Sequence, residues 1–391
     1  VTRVIPLKHL ARINERALPA TTDPNREIRY VEIGSVGRGE LVRQPERMRF
    51  ADAPSRARRL VREGDTIIST VRTYLRAVWP VSGDAGDLVV STGFAVLTPT
   101  EVDPSYFSWW VLSDAFVEEV VARSVGVSYP AINASELGDL GVRVPSLAEQ
   151  RAIADYLDTE TNHIDTLITK KRRMIELLEE RLVHAARALT TSLGHVAPLR
   201  RFASAVKTGT TPPARELDDL TGEEISWYSP GDVGTNLEML APARGLSRRA
   251  VSEGWTPEFQ PDTTLIVGIG ATAGRVGHNV RASTGNQQMT CITSDSRVLP
   301  RFLSWQLWAR EEELRETAPY TTLPILNNDF LRSLPISAPP VDHQQDIVNR
   351  LDRRADQVQA VTKRLRAQID LLAERRQALI TATVTGDLSV A

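Results

Sequence analysis

Leu140-Gly141-Val142-Arg143-Val144-Pro145-Ser146-Leu147-Ala148-Glu149-Gln150-Arg151-Ala152-Ile153 returns 194 residues later as Leu334-Pro335-Ile336-Ser337-Ala338-Pro339-Pro340-Val341-Asp342-His343-Gln344-Gln345-Asp346-Ile347. In each, a short apolar run stops at proline, and an acid followed by Gln-x-x-Ile opens a segment of helical spacing. The same shift pairs Pro130-Ala131-Ile132-Asn133 with Pro324-Ile325-Leu326-Asn327, and Leu157-Asp158 with Leu351-Asp352. It also pairs Ile175, Leu177, Leu178, Glu180 and Arg181 with Ile369, Leu371, Leu372, Glu374 and Arg375. A gapless register of this length marks two copies of one unit. Nearby shifts align Pro6-Leu7 with Pro198-Leu199, Asp65-Thr66 with Asp262-Thr263, Ser91-Thr92-Gly93 with Ser283-Thr284-Gly285, and Ser108-Trp109 with Ser304-Trp305.

Working outward, each copy has two parts. The first part holds short β-branched runs, such as Thr66 to Val71, Leu88 to Val90 and Thr264 to Val267, punctuated by Gly, Pro, Asp and Ser. These read as strands and turns, with one helix near Tyr106 to Arg123 and its counterpart near Arg301 to Glu316. The second part carries apolar residues at steps of three, four and seven: Ile153, Leu157, Ile164, Leu167, Ile168, Ile175, Leu178 and Leu182. In the second copy they are Ile347, Leu351, Val358, Val361, Leu365, Ile369, Leu372 and Leu379. Neither segment has an interior Pro or Gly, and Gly194 and Gly386 close them. Such stripes must be buried, and pairing the two helices with each other buries both. The expected fold is α+β: two homologous β-rich domains (1–146 and 195–340), each followed by a helical spacer (147–194 and 341–391). The spacers are expected to pair as an antiparallel coiled coil about a pseudo-twofold, each with ~35 helical residues and about 50 Å long.

The chain has 391 residues with net charge −2, 41% apolar and 25% charged residues, the balance of an ordinary globular protein. No apolar stretch is long enough to cross a membrane and the first ten residues lack a secretory pattern, so a cytoplasmic location is expected. The single cysteine, Cys291, has no disulfide partner. Charge is segregated: residues 1–62 carry 14 Arg and Lys against 7 Asp and Glu, whereas residues 63–160 carry 5 against 15. A basic stretch of this kind suits a polyanion. Only five basic residues are lysine, at positions 8, 170, 171, 207 and 363.

Apparent catalytic motifs do not survive inspection. Gly268-Ile269-Gly270-Ala271-Thr272-Ala273-Gly274 imitates a dinucleotide fingerprint, but its third glycine is one place late and another strand follows, so a tight strand-to-strand turn is expected. No glycine precedes a lysine as in a P-loop, and the six histidines lack metal-ligand spacing, with His163 and His184 expected on exposed helix faces. The usual metal-dependent nuclease core and the Asn-Pro-Pro or Asp-Pro-Pro tetrad of an adenine methyltransferase are both missing. The residues describe a binding scaffold without catalytic or metal residues.

The two junctions resemble those of the specificity subunits of type I restriction-modification enzymes. Lys207-Thr208-Gly209-Thr210-Thr211-Pro212, Gly270 to Arg275, Thr284-Gly285-Asn286-Gln287, Asn327 ahead of Leu331, and Glu374 to Ile380 with Val384 to Leu388 also fit that family. The first copy departs at Leu182-Val183-His184, where the second keeps Arg376-Gln377-Ala378, and it lacks a Gly-x-Thr-Pro counterpart. The resemblance implies a non-catalytic subunit that binds double-stranded DNA. Each domain would read one half of a bipartite target across a fixed, unread gap. It further implies two methylation subunits docked on the helices, with Gln150, Ile153, Gln344 and Ile347 as docking positions, and restriction subunits as possible further partners. Cofactors then belong to partners: S-adenosylmethionine for methylation, ATP and Mg for restriction.

Candidate DNA contacts are Arg43, Arg47, Arg72, Tyr74, Arg76 and Tyr129 in the first domain. In the second they are Lys207, Thr208, Thr272, Arg275, Gln287, Gln288 and Thr322. Arginine and glutamine can make the paired hydrogen bonds that identify guanine and adenine. The charges of Lys170, Lys171, Arg172 and Arg173 are expected to face water or a partner. Two alternatives stand beside this reading: a self-contained DNA-modifying enzyme with an unfamiliar site, and a repeat scaffold that binds only proteins.

Overall fold

The β-branched runs form strands, and in each repeat they make two larger sheets, one of them shared between two cores, beside a two-stranded pairing at the junction. The computed structural model describes residues 3–191, 194–319 and 323–390. It divides into two compact units, residues 1–171 with 367–391, and residues 172–366.

In the first unit an antiparallel sheet runs in the order Ala11–Ile13, Phe94–Pro99, Thr66–Ser69, Val78–Pro80. A second sheet runs Glu46–Arg49, Glu27–Val31, Leu88–Ser91, Ala57–Leu60, with one parallel pairing between Glu27–Val31 and Leu88–Ser91. Ile67, Trp79, Phe94 and Val96 meet Val31, Leu88 and Val90 between the sheets. On the other face of the antiparallel sheet, Ile68, Val78, Ala95 and Leu97 meet Tyr106, Phe107, Val111 and Phe116. Burial on both faces explains why Thr66–Ser69 and Leu88–Ser91 read as unbroken runs rather than alternating ones. Arg3–Pro6 pairs with Gly141–Val144, tying the start of the repeat to the junction.

The second unit repeats this order. Its antiparallel sheet is Ala203–Thr208, Met289–Ser294, Thr263–Val267, Val276–Asn279, and its mixed sheet is Gly245–Leu246, Thr221–Tyr228, Ser283–Gly285. His195–Pro198 pairs with Pro335–Ala338. Equivalent hydrogen bonds fix the internal alignment. Gln150 accepts from the Asp103 amide and donates to the Pro145 carbonyl; Gln344 accepts from the Leu299 amide and donates to the Pro339 carbonyl. The indoles of Trp109 and Trp305 donate to Asp158 and Asp352. Two of the expected pairings shift. The hydroxyl contact of Thr66 with Ser108 recurs between Thr264 and Ser304, so Thr66 matches Thr264 rather than Thr263. Thr70 and Gly268 donate their amides to Gly93 and Gln288, so Gly93 matches Gln288 rather than Gly285. Small-residue similarity misplaced both.

Each expected single helix is two. Pro104–Leu112 and Asp114–Arg123 break at Ser113, whose extended backbone lets its hydroxyl cap the Phe116 amide; Pro300–Trp308 and Glu311–Thr317 are the counterparts. The two long helices, Leu147–Thr190 and Val341–Thr385, have 44 and 45 residues, longer than expected. In the first unit Asp165 meets Arg376 at 3.0 Å and Lys171 meets Gln368 at 2.7 Å, so the helix segments run in opposite directions. In the second, Leu182 and Ala186 share a core with Ile347, Val348, Leu351 and Ala355. The stripe is not buried by helix pairing alone: Ile153, Leu157, Ile380 and Val384 also join the core of the first β-rich lobe. Leu167, Met174, Leu177 and Leu371 stay exposed on the helices. No helix among the described residues is long and apolar enough to cross a membrane.

Candidate nucleic-acid interface

In each repeat, the turn between the last two strands of the antiparallel sheet sits against the Pro-x-x-Asn signature. In the first unit the turn is Thr70 to Arg76. Ile132 donates to the Thr70 carbonyl, Arg72 donates to the Pro130 carbonyl, and Val71 bridges Ala131. The second unit reproduces each bond: Leu326 to Gly268, Gly270 to Pro324, and Ile269 bridging Ile325. The turns have equal length, since Ser69 and Val267 donate to Ala77 and Arg275. Arg72 therefore matches Gly270, Tyr74 matches Thr272, and Arg76 matches Gly274.

All four of the turn-bending positions have positive φ: 54° at Arg72, 52° at Arg76, 111° at Gly270 and 92° at Gly274. Arginine in a left-handed conformation costs on the order of 1–2 kcal/mol, and strain of this kind concentrates at binding sites. The strain presents the exposed Tyr74 and Leu75 at the tip of the turn. The Arg72 guanidinium lies 4.8 Å from the centroid of the exposed Tyr129 ring, a cation–π contact that joins the two loops.

Other loops converge on this turn. A Cβ on Gly93 would meet Ile33 at 2.5 Å and Val71 at 3.0 Å, so the 32–36 loop packs on it. Val42 and Arg43 hydrogen-bond the Ser35 carbonyl, and Arg56 accepts from the Thr92 amide through its carbonyl. Arg43 and Arg56 share Glu32 at 4.0 and 3.5 Å, which leaves an excess of one positive charge there. The structure thus brings together Arg43, Arg72, Tyr74 and Tyr129.

It separates two others. Arg76 turns to Asp114 and Glu118 at 3.2 and 3.5 Å, so its charge is already matched and it holds the turn to the helix corner. Arg47 lies on the edge strand opposite Arg29, outside the loop cluster. Arg29 bonds Asp87 and holds that carboxyl below the usual range.

In the second unit a further loop joins the turn. Gly209 donates to the Met289 carbonyl and Thr210 to the Gly285 carbonyl, and a Cβ on Gly209 would overlap the Gly285 and Asn286 carbonyl oxygens. Thr211 donates its hydroxyl to the Gln287 amide oxygen, which sets that exposed side chain. Lys207 is exposed beside them, with no acid within 4 Å among the described residues.

Gln288 and Thr208 are spent on structure. The Gln288 amide donates to the Ile269 carbonyl at 3.2 Å, and the Thr208 hydroxyl donates to the Asn328 amide oxygen at 3.0 Å. Thr272 is half-buried in the turn, and Arg275 faces Glu311 at 3.9 Å while remaining partly exposed. Thr322 lies outside the described residues. Gly268 to Gly274 joins two antiparallel strands as expected, so no helix N-terminus stands there for a pyrophosphate.

The four docking positions are corrected. Gln150, Ile153, Gln344 and Ile347 are all buried in their own units, with both glutamine amides bonded to the backbone. Buried in its own unit, each of these side chains fixes the junction rather than lining an exposed surface. Along the middle of the helices the exposed apolar side chains include Leu167, Met174, Leu177 and Leu371, and Leu147 and Val341 are exposed at the helix starts. Arg56 and Val127 were missed. Val127 lies in a loop where no strand or helix needs a valine, which was the available signal.

One constellation resembles catalytic machinery. His278 bonds Ser304 through Nδ1 at 3.0 Å and Asp262 through Nε2 at 3.0 Å. Ser304 is 0% exposed and already bonds Thr264 and the Pro300 carbonyl, so no substrate can reach it. Burial and the nearby Arg301 push the imidazole below its usual pKa despite Asp262, which favours a neutral structural histidine. No group of His, Cys, Asp and Glu suited to a metal ion occurs among the described residues.

Comparison with known proteins bears on this geometry. Residues 60–177 and 196–371 match the family model of the type I restriction modification DNA specificity domain. The chain is 20% identical over 312 residues to the type I restriction enzyme StySPI specificity subunit of Salmonella potsdam, covering 74% of this chain and 66% of that protein. It is 25% identical over 198 residues to the HindI specificity subunit of Haemophilus influenzae, covering 49% of this chain and 41% of that protein. The matches therefore span less than two thirds of either relative. A chain solved in work on complex assembly and conformational transition of the type I restriction-modification system has the same fold, with TM-score 0.74 and 22% identity over 99% of this chain and 98% of that one. The duplicated lobes, the repeated junctions and the two matched stretches lead to one conclusion: this chain belongs to the type I restriction-modification DNA specificity family.

Proposed function

We propose that the chain is a non-catalytic specificity subunit that reads a bipartite double-stranded DNA target, one half-site per β-rich lobe. Residues 1–146 and 195–340 act as the readers, and the helical segments 147–194 and 341–391 pair as an antiparallel strut that sets an unread gap between the half-sites. Arg43, Arg56, Arg72, Tyr74 and Tyr129 serve the first half-site, and Lys207, Thr272, Arg275 and Gln287 the second. Two methylation subunits dock on the exposed helix faces that carry Leu167, Met174, Leu177 and Leu371. S-adenosylmethionine, ATP and Mg then act in partner subunits.

The observation that supports this reading best is that one backbone frame, tied by equivalent bonds to the Pro-x-x-Asn segment, presents different side chains in the two lobes. A frame held constant while its tip varies is what two independent readers require. The buried Ser304 disfavours a self-contained enzyme. Methylome sequencing of a host carrying this chain with its methylation subunit should show a bipartite adenine motif with a fixed gap. A continuous motif would overturn the proposal. Exchange of residues 195–339 for those of another family member should change only one half of the motif.

A further inference from the structure

The loop cluster of the first unit exposes several large apolar side chains together. Val125 is 76% exposed, Val127 wholly, Tyr129 61% and Tyr74 53%, with Leu75 beside them. They lie on two short loops joined by the backbone bridge Val71–Ala131, the second loop closed on itself by Val125–Ala131, and the Thr73 hydroxyl donates to Ser124 between the two. The loops are thus held in place with these side chains exposed, and clustered exposed apolar groups mark a contact surface. Arg72 lies within the cluster over Tyr129, and Arg43 and Arg56 flank it with one carboxylate between them. Apolar tips surrounded by excess guanidinium suit a polyanion whose interior is itself flat and apolar.

We infer that these tips form a wedge that enters the first half-site and partly unstacks one base step, while Arg72 and its neighbours hold the adjacent phosphates. The inference rests on the reading that the first lobe binds double-stranded DNA. Wedges of aliphatic and aromatic side chains part base steps and bend the duplex, and flexible pyrimidine–purine steps yield most easily. The first half-site is therefore selected in part by how readily it deforms. The second lobe carries Thr272 where Tyr74 stands and the buried Ala273 where Leu75 stands, so its turn itself presents no apolar tip, and only Leu323 and Ile325 are exposed on the segment beside it among the described residues.

The test uses the chain in complex with its methylation subunits, on a duplex carrying the target found by methylome sequencing. 2-Aminopurine replaces each base in turn, leaving out the methylated adenines. One step of the first half-site should brighten at least threefold on binding, and none at the turn of the second. The double variant Tyr74→Ala, Val127→Ser should lose that signal and bind about tenfold more weakly with an unchanged salt slope. An unpaired base at the same step should restore its affinity. If the complex binds with normal salt dependence and no first-half position brightens, the wedge is wrong and the DNA reading stands. A variant that fails to assemble with the methylation subunits assigns the patch to a protein contact, which also overturns the wedge. If the wild-type complex shows no salt-dependent DNA binding, both readings fall.

Discussion

The turns Thr70 to Arg76 and Gly268 to Gly274 share length, the hydrogen bonds to the Pro-x-x-Asn segment and both left-handed positions, yet one bends at arginines and the other at glycines. The difference shows how a duplicated lobe diverges. In the second lobe glycine relaxes the backbone, and the neighbouring 207–211 and 285–288 loops close against each other at Gly209, which on the proposed reading makes them the recognition surface. In the first lobe the strand that would continue toward such a loop stops at Ile13. Asn14 turns left-handed at φ 57° and bonds Val96 with its side chain, directing the chain elsewhere. The first lobe accepts strain and gains two side chains at its tip.

The comparison extends to the junctions, where the largest effect is expected. Gln344 serves the Leu299 amide and the Arg297 and Pro339 carbonyls, whereas Gln150 serves two backbone groups. Each buried group left unpaired costs about 1–3 kcal/mol, so Gln344→Ala should destabilise its unit by about 3 kcal/mol or more, and Gln150→Ala by less. Hydrogen exchange resolved by unit measures both. Equal loss in the two variants, or a weakened partner contact with stability unchanged, would restore a docking role to these glutamines.

Gly209→Ala comes next. The added methyl must push the 285–287 backbone away, a repacking that costs about 1–3 kcal/mol. Specificity for the second half-site should fall while the first is unaffected, as read by competition binding against half-site variants. Loss in both halves would mean the lobes do not read independently.

Arg72→Gly exchanges the first lobe's residue for that of the second and should separate stability from binding. Removing left-handed strain should stabilise the unit by up to about 1 kcal/mol, while DNA affinity drops about tenfold as the Tyr129 and phosphate contacts are lost. Arg43→Ala should weaken binding to all sequences alike and lower the salt slope by about one. If Arg72→Gly leaves affinity unchanged, the strain at this turn serves something other than DNA.

Much of this organisation was legible in the residues. The repeat, the junctions, the long helices and the Gly268–Gly274 turn follow from periodicity and from residues that only one backbone geometry accepts. The limits were local. Ser113 ends a helix by capping the next one, which apolar spacing cannot reveal. Gln288 and Thr208 have the right chemistry for bases but spend it on Ile269 and Asn328, and Arg76 spends its charge on Asp114 and Glu118. Residue type predicts what a side chain can bond, whereas its nearest neighbours decide what it does bond.

His278 gives the last and smallest contrast, because its counterpart in the first lobe is Pro80, which does not titrate. Ser304, Asp262, Arg301 and Asp352 surround the imidazole, and burial with Arg301 outweighs the two carboxylates, lowering its pKa below the ordinary 6.5. The unfolded chain therefore takes up a proton that the folded chain refuses. Stability from this group is complete above about pH 6.5 and is lost as pH falls from there toward the lowered folded value. The second unit should accordingly open more easily at pH 5.5 than at 7.5, by hydrogen exchange, with a steeper pH slope than the first. His278→Gln should remove the difference in slope at the expense of about 1 kcal/mol at neutral pH for the hydrogen bonds disturbed. Parallel slopes in the two wild-type units would show that Asp262 and Asp352 compensate the burial, and that the histidine folds in its charged form.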